Sequence, residues 1–240
     1  MSGRIRSLIF AAVLCLACSL LLAGASAGLK ARQERNIAID RQRNLLKSVG
    51  LVEPDRSYRP EEIEALFQAS IQAVWADSAG RIIPESQHQP TDLPLYLYVK
   101  DDCIKAFIVP IDSRGLWGRI KGYLALEDDG STIAGFTVYS HNETPGLGGE
   151  IEQNWFQKNF VGKRITDRNG NFVSVQIARG KAATSVESGA RANYVDGISG
   201  ASLTGKYLSS GLRTTLSRYE PMAIRFRKNP TCATPPSAGG

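Results

Sequence analysis

Asp196-Gly197-Ile198-Ser199-Gly200-Ala201-Ser202-Leu203-Thr204 is the stretch around which the rest of the chain is organised. Two glycines and an alanine stand among three hydroxyl residues, with one acid just upstream. Glycine lets the backbone bend and lets a bulky group come close. Beyond Ser199 the apolar residues run Leu203, Tyr207, Leu208, Leu212 and Leu216, mostly four apart. That spacing predicts an amphipathic helix from about Ala201 to Tyr219, with Ser199 placed to cap it. An anion beside the turn would meet unpaired backbone N–H groups and the positive end of the helix dipole, with the Ser202 hydroxyl in the first turn. By itself the same stretch also reads as an ordinary capped loop before an ordinary helix, because Ser and Gly crowd most helix starts.

Two further glycine-bounded loops lie upstream. His141-Asn142-Glu143-Thr144-Pro145-Gly146-Leu147-Gly148-Gly149-Glu150 specifies an irregular turn that frees several N–H groups, and it too has a purely structural reading. Arg114-Gly115-Leu116-Trp117-Gly118 carries an aromatic that reads as exposed. None of these stretches is a Gly-x-Gly-x-x-Gly fingerprint or a Ser-His-Asp arrangement.

The composition is that of a globular protein: 240 residues, 42% hydrophobic and 22% charged, enough to bury a core. The net charge of +6 is scattered, with no Lys/Arg block interleaved with aromatics, so nucleic-acid binding has little support. A basic surface also suits a membrane or an acidic partner. Two histidines cannot make a histidine-rich metal site. Cys15 and Cys18 fall in an apolar run and read as small packing residues; Cys103 and Cys232 stand alone, so cysteine usage does not fix the redox compartment.

Residues 1–6 form a short N-terminus, and residues 7–29 hold no charge, flanked by Arg4 and Arg6 before and Lys30, Arg32 and Arg35 after. At ~1.5 Å per residue this run spans a hydrocarbon core. Ala25-Ser26-Ala27 resembles a cleavage site, but the run is long for a signal core, which favours an uncleaved anchor. Positive charge at both ends leaves its orientation open. Residues 30–93 read as juxtamembrane helices and a linker, with Pro60-Glu61-Glu62 opening a helix to about Trp75 and residues 78–93 forming a loop. From Leu95 short β runs follow: Leu95 to Val99, Cys103 to Ile108, Lys121 to Leu126 and Thr132 to Ser140. Asp101-Asp102 and Asp128-Asp129-Gly130 supply turns between neighbours. Trp155 to Phe160 reads as helix and Phe172 to Ala178 as a strand. The expected class is α+β: one transmembrane helix, then a soluble domain over residues 94–220 with an antiparallel sheet and flanking helices, and a disordered tail over 221–240.

Gly115-Leu116-Trp117 with Gly122-Tyr123-Leu124-Ala125-Leu126, then Glu143-Thr144-Pro145-Gly146-Leu147-Gly148-Gly149-Glu150, then Val195-Asp196-x-x-Ser199-Gly200-Ala201-Ser202, in this order behind a single anchor, carry a family resemblance. The chain resembles the C subunit of the sodium-translocating NADH:quinone reductase. The Glu-Thr-Pro-Gly-Leu-Gly element is shared with the G subunit of the related Rnf complex, while Gly-Leu-Trp and the Gly-Gly-Glu ending favour the reductase. The resemblance implies an FMN-binding domain on the periplasmic side of a bacterial inner membrane, with the short N-terminus of residues 1–6 cytoplasmic. It implies FMN joined covalently through a phosphodiester to a hydroxyl side chain by a separate flavin transferase. It also implies a six-subunit complex, with A, B, D, E and F as partners, that couples NADH oxidation by ubiquinone to sodium export. The chain would then be an electron carrier and not a catalyst on its own. The family's acceptor threonine falls on Ser202, which offers the same nucleophilic oxygen; Thr204 is the fallback. By the same resemblance Glu143, Thr144, Gly146 and Leu147 surround the flavin together with Ser199, Gly200 and Ala201. Trp117 lies against the ring or closes the core, and Asp196 belongs to the transferase recognition segment or caps a loop. The remaining alternatives are an Rnf-type protein and a flavin-free, membrane-anchored assembly module.

Overall fold

The hairpin turns set the sheet. Asp101 and Asp102 adopt φ values of 53° and 58°, the left-handed pair with which a two-residue turn follows the twist of its strands. They join β3 (Leu93–Lys100) to β4 (Cys103–Arg114). Between β5 (Arg119–Glu127) and β6 (Ile133–Ser140), Gly130 takes φ 63°. The Asp129 carboxylate there accepts the N–H groups of Ser131 and Thr132 and the Thr132 hydroxyl. Burial pushes the Asp129 carboxyl up, but the hydrogen bonds from Thr132 and Ser131 outweigh it and hold the group below the usual carboxylate range.

This is a computed structural model, and it describes residues 3–228. The sheet is antiparallel, in the order β2 (Ile82–Ile83), β1 (Ile71–Ala76), β3, β4, β5, β6, as expected for β3 to β6, which lie together at one end of it. Its other two strands correct the sequence reading. The helix opened by Pro60 ends at Ser70 (α2, Pro60–Ser70), and Ile71–Ala76 leaves it as β1. Ile71, Val74 and Trp75 suit a strand better than a helix, and they pair with Tyr98, Leu95 and Pro94 of β3. Ile82–Ile83, within the expected linker, adds β2 at the edge, so the sheet begins before residue 94.

α5 (Ser202–Lys228) lies across one face of the sheet, packing chiefly on β4. Its Leu208, Leu212, Leu216 and Phe226 join Phe107, Val109, Ile111 and Leu124 in one buried core, with the Phe107 and Phe226 rings 4.8 Å apart. The helix runs past Tyr219 through Pro221, so residues 221–228 are helical rather than tail. Gly80, at φ 73°, packs so close to this segment that a Cβ would stand 2.3 Å from the Met222 nitrogen. The rest of the expected disordered tail, with Cys232, falls outside the described residues. The strand expected from Phe172 is broken by Ser174, at φ 68°. Before it Phe172 makes a single antiparallel bridge to Thr166, and after it Gln176–Ile177 (β7) pairs in parallel with Tyr194–Val195 (β8). α3 (Asn154–Lys158) overlaps the helix read from Trp155 to Phe160, starting one residue earlier and ending two residues earlier.

α1 (Gly3–Ser48) is one helix through both the anchor and the segment read as juxtamembrane. The described residues divide after Asp40 into two units. In the first, the apolar part is long enough to cross a membrane, and Cys15 and Cys18 are free and exposed. In the second, Leu45 and Leu46 are buried, and Ser48 lies so close to β6 that a Cβ on Gly135 would meet its carbonyl oxygen at 2.3 Å. Cys103, which stands alone in the sequence, is disulfide-bonded.

Asp129→Asn should lower stability by about 1 kcal/mol near neutral pH, since the group is partly screened by solvent. The folded-state pKa is depressed, so the deficit is full above the unfolded value of ~4 and shrinks as pH falls through the folded value. Urea unfolding of wild type and variant between pH 7 and pH 3 measures this; a constant difference would contradict it.

Candidate functional site

Three loops meet where α5 begins, and one carboxylate holds them. Glu143 is 4% exposed. A buried carboxylate needs partners to offset its lost hydration, and both oxygens have one. Oε1 accepts the Trp117 N–H at 3.0 Å, and Oε2 accepts the Thr204 hydroxyl at 2.5 Å. The loop between β4 and β5, the loop after β6 and the first turn of α5 are thereby tied together. The same carboxylate accounts for two of the glycines. A Cβ on Gly115 would stand 2.4 Å from Oε1; one on Gly148 would stand 2.7 Å from Oε2 and 2.6 Å from the Thr204 hydroxyl oxygen. The loop after β6 closes through hydrogen bonds from the Leu147 and Gly149 N–H groups to the Thr144 carbonyl, with Gly146 at φ 74°. The Glu143 N–H donates to His141 Nδ1, which assigns the ring proton to Nε2, 3.0 Å from the Glu152 carboxylate.

The stretch from Asp196 to Thr204 is pinned from behind. Gly197 donates its N–H to the Gly180 carbonyl at 2.7 Å and packs where a Cβ would lie 2.1 Å from the Ala178 oxygen. Asp196 accepts the Ala182 N–H at 2.7 Å, at the first residue of α4 (Ala182–Ser185). α5 starts at Ser202, so the residue at its cap is Ala201, which is buried, and Ser199 stands further out and exposed. An alanine there offers no side-chain acceptor to the first-turn N–H groups. Gly200 takes φ 74°, and a Cβ on it would meet Leu147 Cδ2 at 2.7 Å.

The two candidate acceptors are separated by burial. Ser202 is exposed at the first position of the helix, whereas Thr204 is 2% exposed with its hydroxyl committed to Glu143. Ser199, Gly200, Ala201, Ser202 and Leu147 gather around this turn, with Thr144 and Gly146 in the Leu147 loop. Trp117 does not close the core; it is 69% exposed. With Leu147 at 43% and Leu203 at 50% it leaves apolar surface on the loops tied by Glu143 and beside Ser202. Glu143 itself is turned inward onto protein groups. On its other side Ser202 borders a groove of about 650 Å³ lined by Gln176, Arg179, Lys206, Ser210 and Arg213 among others. Arg179 and Lys206 were not anticipated: Lys206 was legible one turn beyond Ser202, whereas Arg179 arrives from a distant segment by folding alone.

These residues fit a phosphorylated flavin. The open hydroxyl is a nucleophile, the helix start has no side-chain cap, the groove beside it is cationic, and exposed aromatic and aliphatic side chains stand near enough to meet an apolar ring system.

Residues 115–217 match the family model of the FMN-binding domain. The chain is 33% identical to the C subunit of the Na(+)-translocating NADH-quinone reductase of Pseudomonas aeruginosa, over 93% of this chain and 96% of that one. It is 31% identical to the corresponding C subunit of Yersinia pestis, over 83% of each. Among solved structures it resembles the C subunit of the same reductase from Parabacteroides distasonis, with a TM-score of 0.68 and 27% identity, covering 81% of this chain and 96% of that one.

Gly148→Ala should force Glu143 and Thr204 apart and destabilise the protein by about 1–3 kcal/mol, the range for stranding a buried polar group. Thermal unfolding of wild type and Gly148→Ala should show a lower midpoint for the variant; an unchanged midpoint would mean that the carboxylate does not hold these loops together.

Proposed function

The chain belongs to the family of C subunits of the Na(+)-translocating NADH-quinone reductase, and from that premise we propose that it is the flavin-carrying electron-transfer component of such a complex, with FMN esterified to Ser202. The observation that carries this reading is the contrast between the two hydroxyls: Ser202 is open at the mouth of α5, while Thr204 is buried and bonded to Glu143. The bond formed is Ser202 Oγ to phosphorus and the bond broken is the P–O bond of a flavin donor activated as a pyrophosphate, presented by the transferase; its nucleotide monophosphate leaves, the serine proton passes to solvent, and the peptide gains FMN minus water in net mass. A separate flavin transferase acts on the exposed Ser199-Gly200 turn. A covalent tether keeps the carrier in place in both redox states.

When bound, the flavin supplies the electron-transfer chemistry. The protein's own part is positional. Glu143 holds the Trp117 loop and the Leu147 loop against the acceptor turn. Trp117, Leu147 and Leu203 offer the ring apolar surface and restrict water around it. The N–H groups of the uncapped first turn favour the single negative charge of a phosphodiester. NADH and ubiquinone are handled by other subunits, A, B, D, E and F, and sodium export is a property of the whole complex.

The apolar N-terminal helix anchors the domain to the inner membrane. The charges flanking it leave orientation open, but the disulfide at Cys103 supports an oxidising compartment, hence the periplasmic side.

Full-length protein from a host with the transferase should fluoresce as flavin after denaturation and carry the mass of FMN minus water. Ser202→Ala should abolish both signals, and Ser202→Thr should retain them. Flavin persisting in Ser202→Ala would overturn the assignment.

A further inference from the structure

The groove beside Ser202 is a built feature. One wall is a stripe of α5: Ser202, Lys206, Ser209 and Arg213 follow at i, i+4, i+7 and i+11, on one side of the helix. The other wall is the segment from Gln176 to Gly180. The walls are fixed to each other, because the Ile177 N–H donates to the Ser209 hydroxyl at 2.9 Å and that hydroxyl donates to the Gly205 carbonyl at 2.7 Å. Gly205 permits the close approach; a Cβ there would already press on Ile177 Cγ2 at 3.1 Å.

The charge of the groove is one-sided. Arg179, Lys206 and Arg213 line it, and no acidic residue does among the described residues. Several other exposed arginines of this domain have carboxylate partners: Arg59 with Glu62, Arg81 with Asp77, Arg119 with Asp112. The three groove cations form no ion pair among the described residues. Like charges gathered on two fixed walls repel one another, and an anion between them relieves that cost.

We propose that this groove is the seat of the phosphate and sugar-alcohol arm of the flavin, with Lys206 and Arg179 as the cations that neutralise the phosphodiester. The proposal rests on Ser202 being the attachment point. It divides the labour on either side of that serine: the anionic arm lies toward the cationic groove, and the ring lies toward the apolar side chains of Trp117 and Leu147. Lys206 stands one helical turn from the acceptor oxygen, within reach of its long, flexible side chain. Arg213, farther along the stripe, adds to the positive field without touching the phosphate.

The test is phosphorus-31 NMR of the flavin-loaded full-length protein in detergent, with loading read by intact mass so that only modified protein is compared. Lys206→Gln and Arg179→Gln should each move the phosphodiester resonance. Lys105→Gln, toward the far end of β4 from the residues that α5 contacts near Ser202, should leave it in place. If Lys206→Gln fails to load, Lys206→Arg decides: recovered loading supports a cation at this position, and continued failure overturns it. An unmoved resonance in fully loaded Lys206→Gln and Arg179→Gln would also overturn the seat while leaving Ser202 as acceptor. Wild type without flavin would instead refute the attachment on which the proposal depends.

Discussion

A single buried carboxylate constrains the functional end of this protein. Glu143 loses its hydration on folding and regains partners only if the Trp117 backbone and the Thr204 hydroxyl are both brought to it. Those partners come from separate parts of the chain. Meeting the carboxylate's needs therefore assembles the site: the loop after β4, the loop after β6 and the start of α5 take their places around one acid. The requirement extends to residues that form no hydrogen bond with it. Gly115 and Gly148 have no side chain because the carboxylate fills the space.

The sheet and α5 supply the frame within which this can happen. β4 and β5 pair over most of their length, so the loop between Arg114 and Arg119 projects from a fixed hairpin end. α5 is held on β4 by its apolar stripe and by the Ser113 hydroxyl, which donates to the Tyr207 carbonyl at 3.2 Å. The first turn of α5 thus stands at the end of β4 that carries the Trp117 loop. The same geometry leaves Ser202 outside and puts Thr204 inside, a distinction between two hydroxyls separated by one residue that comes from helical periodicity.

What could be read from the sequence was what is locally encoded. The Asp101-Asp102 turn, the Asp129-Gly130 turn and the leucine spacing of α5 each depend on neighbours in the chain, and each marked where its element turns or begins, although β4 runs on to Arg114 and α5 to Lys228. β1 was missed because Pro60-Glu61-Glu62 starts a sound helix and nothing between Ile63 and Trp75 breaks it; pairing with β3 decides the change, and that is a tertiary effect. β7 was overextended because alternation is indifferent to the positive φ of Ser174. At the site, the motif residues were legible as a set through family resemblance. The role of Glu143 was not, since its partners lie 26 and 61 residues away. Arg179 had no local signal at all. The Cys103 disulfide was equally hidden, because spacing does not report which cysteines meet.

The central claim is that one hydroxyl among three neighbours carries the flavin, and its site can be located directly. Trypsin should release the peptide from Ala192 to Lys206, which contains Ser199, Ser202 and Thr204. Fragmentation of that peptide by tandem mass spectrometry, using protein made alongside the flavin transferase, should place the added mass on Ser202 and leave the other two unmodified. Mass on Thr204 or Ser199, or an unmodified peptide from cells able to make the linkage, would contradict the account.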